Sequence, residues 1–373
     1  MNKCTLIIDM NWLLISRASV MLKQFAIDNP EPALQAAQET LRGRLAEGIV
    51  TVLNRLTGVD NIIMIADGGS WRKHLEAPQV IKDVVYKGNR VKKEETDWSR
   101  IFHTLNDFME HAKSLGITCS QGYDIEGDDW AWYWSTRLNN EGINCIIWTS
   151  DNDLKQLVRY DGEKNVFTGW YNHKSGLWLD SKLKPTEMQD AVDFFMTPIE
   201  QPHPVLENLS HWGLTRFYIN PFSIVREKIL MGDSGDNIKP VISYIKNGRT
   251  QNFSQKDFEK ILEEYSMNDM NELLYDREKI ANTIVSMKKF KALNRDPKTV
   301  EEMIVFNSRL VWLNGRVIPK EIQEKMNEEE YKEYDLSYIR SNYKALLPED
   351  NTDIEQVFED IFNPEDDKFN GDF

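Results

Sequence analysis

Three short apolar runs, each closing on an aspartate, constrain this chain more than any other feature. They are Cys4-Thr5-Leu6-Ile7-Ile8-Asp9, Asn61-Ile62-Ile63-Met64-Ile65-Ala66-Asp67 and Asn144-Cys145-Ile146-Ile147-Trp148-Thr149-Ser150-Asp151. A strand with one wet face alternates apolar and polar residues, whereas a strand covered on both faces is apolar throughout. Helical patterns separate the runs, at Pro32–Leu56, at Trp98–Leu115 (stopped by Gly116) and at Asp128–Asn140. A further short strand is expected over Gly116–Gly122. This alternation predicts an α/β fold with a mostly parallel central sheet and helices on both faces. In such sheets ligands bind beyond the carboxyl ends of the strands, where the three aspartates fall.

Beyond the third run, Asn165–Trp170 and Gly176–Leu179 read as a hairpin around Asn172–Ser175, and Pro198–Pro204 as a loop. From Pro221 the pattern is mainly helical: Phe222–Met231, Ser254–Tyr265, Arg277–Leu293 and Thr299–Leu313. No run approaches the roughly 20 apolar residues of a membrane helix. The start of the chain is apolar for only a few residues before Asp9, so no signal peptide is expected. Cys4, Cys119 and Cys145 lie in strand-like runs and read as reduced core thiols, without zinc spacing. A soluble, cytoplasmic protein is expected.

The net charge is −15, which by itself argues against a nucleic-acid partner. Its distribution reverses that. Glu349–Phe373 holds ten acids and one lysine, a tail of −9. Nine clustered carboxylates carry another −9, and setting both aside leaves the remainder at +3. Basic residues gather between Trp71 and Lys93, as Arg72, Lys73, Lys82, Lys87, Arg90, Lys92 and Lys93. Alone, such a run is a solvated face; beside an acidic cluster it becomes a candidate for phosphate contacts.

The nine carboxylates are Asp9, Asp67, Glu126, Asp128, Asp129, Asp151, Asp153, Asp233 and Asp236. Each has an ordinary reading. Asp9 or Asp67 alone would be a helix cap, and Glu126-Gly127-Asp128-Asp129 suits a helix N-terminus. Asp151 with Asp153 fits an Asx turn, and Asp233 with Asp236, between glycines, fits a tight turn. Five clusters in this order, most of them at sheet edges, point further. Gathered carboxylates stay ionised only with cations nearby. Oxygen donors without His or Cys favour Mg²⁺ or Mn²⁺. Two such ions about 4 Å apart can drive hydrolysis of a phosphodiester. The six histidines show no metal spacing, and no phosphate-binding Gly-x-x-x-x-Gly-Lys loop is present.

The ordered set resembles the 5′-nuclease (flap endonuclease) superfamily, which contains the PIN-like fold. The matching segments are Ile8-Asp9 with Asn11, Asp67-Gly68-Gly69-Ser70-Trp71-Arg72-Lys73, Tyr86-Lys87-Gly88-Asn89-Arg90, Glu126-Gly127-Asp128-Asp129, Thr149-Ser150-Asp151-Asn152-Asp153-Leu154-Lys155-Gln156-Leu157 and Gly232-Asp233-Ser234-Gly235-Asp236-Asn237. They span roughly residues 4–240.

The resemblance implies a PIN-like core over 1–212 with a helical basic arch about 71–100. It also implies a helical DNA-binding subdomain over 213–318 and a C-terminal extension over 319–373 ending in the acidic tail. It implies two Mg²⁺ ions, replaceable by Mn²⁺. Asp9, Asp67, Glu126, Asp128 and Asp151 would surround the first ion. Asp153, Asp233 and Asp236 would lie toward the second, with Asp129 acting through water. Arg72, Lys73, Lys87, Arg90, Lys92 and Lys93 would grip phosphates, with Lys87 and Arg90 sharing a helix face. Trp71 and Tyr86 are candidates for stacking on a base, and Trp130, Trp132 and Trp134 for core packing.

Cellular members continue with a Gly-x-Gly turn that holds K⁺ against duplex phosphates. Here the chain reads Ile238-Lys239-Pro240-Val241-Ile242-Ser243-Tyr244-Ile245-Lys246. That departure removes the basis for a K⁺ site and leaves Lys239, Lys246 and Arg249 to hold a duplex. It is similar to the T-even phage RNase H branch, as is Phe306–Leu313 followed by Ile318-Pro319. A phage origin would place the protein in the host cytoplasm.

The resemblance thus implies a metal-dependent 5′→3′ exonuclease and flap endonuclease acting on DNA or RNA/DNA with a free 5′ end or flap. The alternatives are a PIN-like ribonuclease and a catalytically silent DNA-binding module. The 170–219 insertion is expected to serve packing or to form a lid. The Phe-terminated tail is expected to solvate the chain, or else to recruit replication proteins.

Overall fold

The computed structural model describes residues 3–90, 95–122, 124–172, 174, 176–180, 182, 216–265 and 276–348. An eight-stranded sheet forms the centre, ordered β3-β2-β1-β4-β6-β7-β8. Its strands are β1 (Cys4–Asp9), β2 (Asn61–Ile65), β3 (Thr118–Ser120), β4 (Asn144–Trp148), β5 (Arg159–Asp161), β6 (Val166–Asn172), β7 (Gly176–Asp180) and β8 (Arg216–Ile219). The run β3-β2-β1-β4-β6 is parallel throughout. β5 and β7 join β6 antiparallel, and β8 is parallel to β7. The expected hairpin is thus present as β6–β7, with Trp170 opposite Trp178.

The apolar runs are buried on both faces because alternate residues serve two cores. Leu6, Ile8, Ile62, Met64, Ile146 and Trp148 face one cluster, which packs under α1 (Met10–Ala18), α2 (Glu31–Arg55) and α3 (Trp98–Ser114). Ile7, Ile63, Ile65, Cys145 and Ile147 face the other, under α4 (Gly127–Asn140). At about 25 cal/mol per Å² of apolar surface, each such residue stabilises the fold by roughly 1.5–3 kcal/mol. All three cysteines are buried free thiols.

A third cluster unites a second unit, α5 (Pro221–Met231), α6 (Gln255–Tyr265), α7 (Arg277–Ser286) and α8 (Pro297–Val311). The continuous helix expected to reach Leu293 ends at Ser286, because Met287 turns extended; a 3₁₀ turn follows at Lys291–Leu293. A two-stranded ribbon, β9 (Ser243–Lys246) and β10 (Arg249–Asn252), was not anticipated. Its turn residues Asn247 and Gly248 both have positive φ, 52° and 72°. Asn-Gly between short strand-prone runs is the sequence signal for such a turn.

The basic segment also differs from expectation. Over described residues 71–90 it contains only two 3₁₀ turns, Trp71–His74 and Gln79–Ile81, rather than a helical arch. Pro78 sits at the edge of the second turn, and Lys87 takes a left-handed φ of 56° that breaks helical periodicity. The segment lies as a strap against the second unit, with Tyr86 buried in that core. Lys92 and Lys93 lie outside the described residues, as do the loop at Pro198–Pro204, most of the 170–219 insertion and the acidic tail.

The chain then returns to the α/β unit. Ile322 and Met326 of α9 (Lys320–Asn327) join the α4-side core. Leu336, Ile339 and Leu346 join the opposite one. The Arg340 guanidinium donates to the carbonyls of Leu53, Leu56, Thr57 and Val59 around the end of α2. A cation at a helix C-terminus satisfies orphan carbonyls and opposes the helix dipole favourably. No helix among the described residues is long and apolar enough to cross a membrane. Replacing Arg340 by Met should destabilise the fold by about 2 kcal/mol in urea unfolding. A change below about 0.5 kcal/mol would place it among ordinary surface substitutions.

Candidate metal and nucleic-acid site

The sheet order reverses between β1 and β4, and the acidic residues converge at the carboxyl ends of these strands. Asp9 ends β1 and caps α1, accepting from the Trp12 amide at 3.0 Å and from Thr149 Oγ1 at 2.8 Å. Asp67 follows β2 and accepts from the Gly127 amide at 2.6 Å, while its own amide donates to Asn11. Gly68 is required here, because a Cβ would lie 1.4 Å from the Gly122 carbonyl oxygen. Asp128 begins α4. Asp151 follows β4 and caps a 3₁₀ helix, Asn152–Leu157, accepting from the Asp153 amide at 2.8 Å.

Burial and neighbouring acids raise the proton affinity of Asp9, Asp67 and Asp128. Burial, followed by the fields of Asp67 and Asp151, pushes Asp9 up to about 7 despite its two donors. Burial and Asp151 likewise push Asp128 well above the carboxylate range.

Beside this group, carboxylate oxygens of Asp153, Asp233 and Asp236 lie within 4.8 Å of one another. No other set of three acid, His or Cys side chains among the described residues is as close. The Gly232–Asn237 turn presents two of them. Asp233 and Ile238 exchange backbone bonds, and Gly235 donates to Asp233 Oδ1 at 2.8 Å. Gly232 takes φ 76°, and a Cβ there would meet the Ile238 carbonyl at 2.5 Å.

One residue here escaped the sequence reading. Lys228, in the last turn of α5, bridges Asp153 and Asp233. Burial would raise Asp233, but this ammonium outweighs it and holds the carboxyl below its ordinary range. The available signal was a lysine at a helix C-terminus five residues before a motif aspartate.

Several expected roles require correction. Arg72 is fully enclosed. It forms ion pairs with Glu126 and Asp129 at 2.7 Å and donates to the Leu310 carbonyl at 3.1 Å. It has no surface to offer a phosphate. Asp129 spends one oxygen on Arg72 and shares the other between Arg72 and the Trp71 indole N–H, so it is a structural anion rather than a water-mediated metal partner. Trp71 and Tyr86 are buried and cannot stack on a base. Glu126 gives one oxygen to Arg72 and the other to Lys87. Burial opposes its charge, yet these two cations keep its carboxyl low.

Lys87 and Arg90 do not share a helix face. Lys87 reaches Glu126, while Arg90 pairs with Asp236 at 2.5 Å. The strap is pinned to the turn by Lys87 N–H to the Asp236 carbonyl, by Asn89 to the Ser234 carbonyl and by Asn237 to the Val85 carbonyl. Lys73 is exposed at the rim. Lys239 bonds Asn237 at 2.7 Å, and Lys246 with Arg249 is exposed on the β9–β10 ribbon.

The residues present fit divalent metal. The donors are oxygens only, and Asp9, Asp67 and Asp128 carry raised proton affinities that a nearby cation would relieve.

No family model matches the chain. A protein of Mycoplasmopsis pulmonis named 5′-3′ exonuclease is 25% identical over 315 residues, covering 81% of this chain and 84% of its own. A bacteriophage T5 protein crystallised with metal ions superposes with a TM-score of 0.51 at 15% identity, over 93% of this chain and 100% of its own. A bacteriophage T5 flap endonuclease, in a pseudo-enzyme–product complex with DNA and metal ions, gives 0.51 at 16% identity, over 92% and 99%. The fold is thus that of the phage T5 proteins, and the relation in sequence to a 5′-3′ exonuclease agrees with the resemblance to the 5′-nuclease (flap endonuclease) superfamily that the ordered acidic motifs carry.

Proposed function

We propose that the chain is a metal-dependent 5′→3′ exonuclease and flap endonuclease that hydrolyses phosphodiester bonds in DNA or RNA/DNA intermediates. The observation that carries this reading is the convergence of two carboxylate groups at the sheet's switch point. The relatives' names and the T5 protein's complex with DNA support it.

Asp9, Asp67, Asp128 and Asp151 would hold one divalent ion, and Asp153, Asp233 and Asp236 the second. Mg²⁺ is favoured by the all-oxygen donor set, with Mn²⁺ as a substitute. Such ions supply water activation and charge neutralisation at the scissile phosphate. Thr149 and the Trp12 amide orient Asp9, the Gly127 amide orients Asp67, and the Asp153 amide orients Asp151.

Glu126 holds Lys87 over the cleft, and Arg72 fixes Glu126 from behind. Lys87 and Arg90 are the strap cations placed to receive a phosphate. Lys73, Lys239 and Lys246 extend the positive track for the duplex.

Cleavage of a flap duplex labelled at the 5′ flap and the 3′ end tests this reading. Mg²⁺-dependent 5′ products are expected, and they should be lost with EDTA. Asp153→Ala should reduce cleavage by more than the about 10–100-fold that outer metal partners cost. DNA binding without cleavage at any divalent ion would favour the silent module, and cleavage confined to RNA the ribonuclease. Lys87→Ala should lower the slope of log affinity against log salt by about one.

Asp9 gives a pH prediction. Its folded-state pKa, about 7, lies above the ordinary 3.8, so the folded chain retains a proton that the unfolded chain releases. Metal-free stability should therefore fall as pH rises from about 4 to about 7. Asp9→Asn should melt higher than the metal-free wild type at pH 8, and the gap should close near pH 4. A gap that is constant with pH would show that Asp9 carries no such strain.

A further inference from the structure

The loop bearing Asp151 and Asp153 is held from a direction that the proposed chemistry does not use. Lys155 sits two residues beyond Asp153, only 9% exposed. Its ammonium lies 4.3 Å from the ring centroid of Trp170 and 3.6 Å from that of Trp178. The two indoles face each other across the β6–β7 register, edge to face, with centroids 6.3 Å apart. Among the described residues no carboxylate pairs with Lys155. The same Trp170 whose face receives the ammonium donates its indole N–H to the Asp151 carbonyl at 2.8 Å. The hairpin therefore grips the loop on both sides of Asp153, at Asp151 and at Lys155.

We propose that the Trp170–Lys155–Trp178 clasp is a positioning device for Asp151 and Asp153, through which the β6–β7 hairpin sets the divalent-metal affinity of the site. The inference rests on the reading that these aspartates hold metal. A buried ammonium with aromatic faces as its partners is a directional tether, because cation–π attraction strengthens as water is excluded. An aliphatic side chain of similar length would fill the space without fixing the loop's register. The loop has other anchors that keep it folded when the clasp is cut. Leu154 is fully buried. Gln156 exchanges hydrogen bonds with the end of α8 at Val311 and Leu313. Loss of the clasp should thus move the carboxylates without unfolding the chain.

The test is titration of the full, DNA-free chain with Mg²⁺, read by calorimetry and by tryptophan fluorescence, alongside thermal melting and the Mg²⁺ dependence of flap cleavage. Lys155→Met and Trp178→Leu should weaken Mg²⁺ binding about tenfold, in the range found for outer partners of metal ligands. Cleavage should recover at saturating Mg²⁺, and Lys155→Arg, whose guanidinium also binds indole faces, should bind within about twofold of the wild type. Trp170→Phe keeps a ring but deletes the N–H to Asp151, and should weaken binding in the same direction. If Lys155→Met fails to fold, Trp170→Phe decides. Folded variants that bind Mg²⁺ as the wild type does overturn the clasp alone. A wild type that takes up no Mg²⁺ overturns the metal reading and the clasp together. Weakened binding with an equal loss in Lys155→Arg also counts against the clasp, since the retained charge should rescue.

Discussion

Repulsion among carboxylates is the constraint around which this molecule is arranged. The parallel order β2-β1-β4 delivers acids from successive strands to one edge, and α4 adds more from its N-terminus. At an effective dielectric of about 20, two unit charges 4 Å apart repel by about 4 kcal/mol. The protein meets this with cations fixed at graded depth. Arg72 neutralises the rear of the cluster, Lys87 its middle, and Arg90 and Lys228 the second group. Among the described residues Asp9 and Asp128 form no ion pair, and both carry raised proton affinity. The uncompensated charge therefore lies at the strand ends, facing the cleft.

The Arg72 cluster shows why depth matters. A buried ion pair repays its desolvation only with good geometry and satisfied hydrogen bonds. Arg72 meets that condition with two carboxylates and a backbone carbonyl, and Trp71 completes Asp129. It also joins three parts of the chain: the strap, α4 and the end of α8. Buried polar networks of this kind specify one arrangement, and their half-satisfied forms are costly. In a linear sequence Arg72 is indistinguishable from the exposed lysine beside it. That is why it read as a phosphate contact and proved to be a structural centre.

The same distinction separates what the sequence revealed from what it concealed. The strands β1, β2 and β4 and the helices α2, α3 and α4 were legible because their signals are local. Apolar runs and 3.6-residue periodicity survive any tertiary context. The aspartates were legible because their order and spacing place them at strand ends. Burial of Trp71, Tyr86 and Arg72 was not, since it depends on elements distant in sequence: Trp71 joins the α4-side core, Tyr86 the core of the second unit, and Arg72 reaches the end of α8. Lys228 was hidden for a related reason: its partners lie 5 and 75 residues away, and only the fold brings them together. The strap was expected as a helical arch because the resemblance implies one; Pro78 and the left-handed Lys87 break any such helix here. The β9–β10 ribbon carried an Asn-Gly signal that the comparison with the Gly-x-Gly turn of cellular members obscured.

The gradient of exposure then orders the cations by how readily each could turn to a nucleic-acid phosphate. The side chain of Arg72 is 1% exposed, that of Lys87 16% and that of Arg90 59%. An exposed ion pair stabilises by about 0–1 kcal/mol, whereas breaking a buried one costs about 3–5 kcal/mol. Arg90 can thus leave Asp236 at little cost, and Arg72 cannot leave Glu126. Lys87 stands between them, held by Glu126 but open on one side. A divalent ion at Asp153, Asp233 and Asp236 would neutralise the acid that Arg90 now pairs with. On the proposed function, metal binding and the release of Arg90 toward a phosphate would therefore be coupled through one carboxylate. By the same electrostatics, a phosphate held by Arg90 removes a cation from Asp236 and strengthens its demand for metal. Such coupling is reciprocal by thermodynamic necessity. Substrate and metal would each favour the other, with the strap pinned on the Gly232–Asn237 turn as the common element.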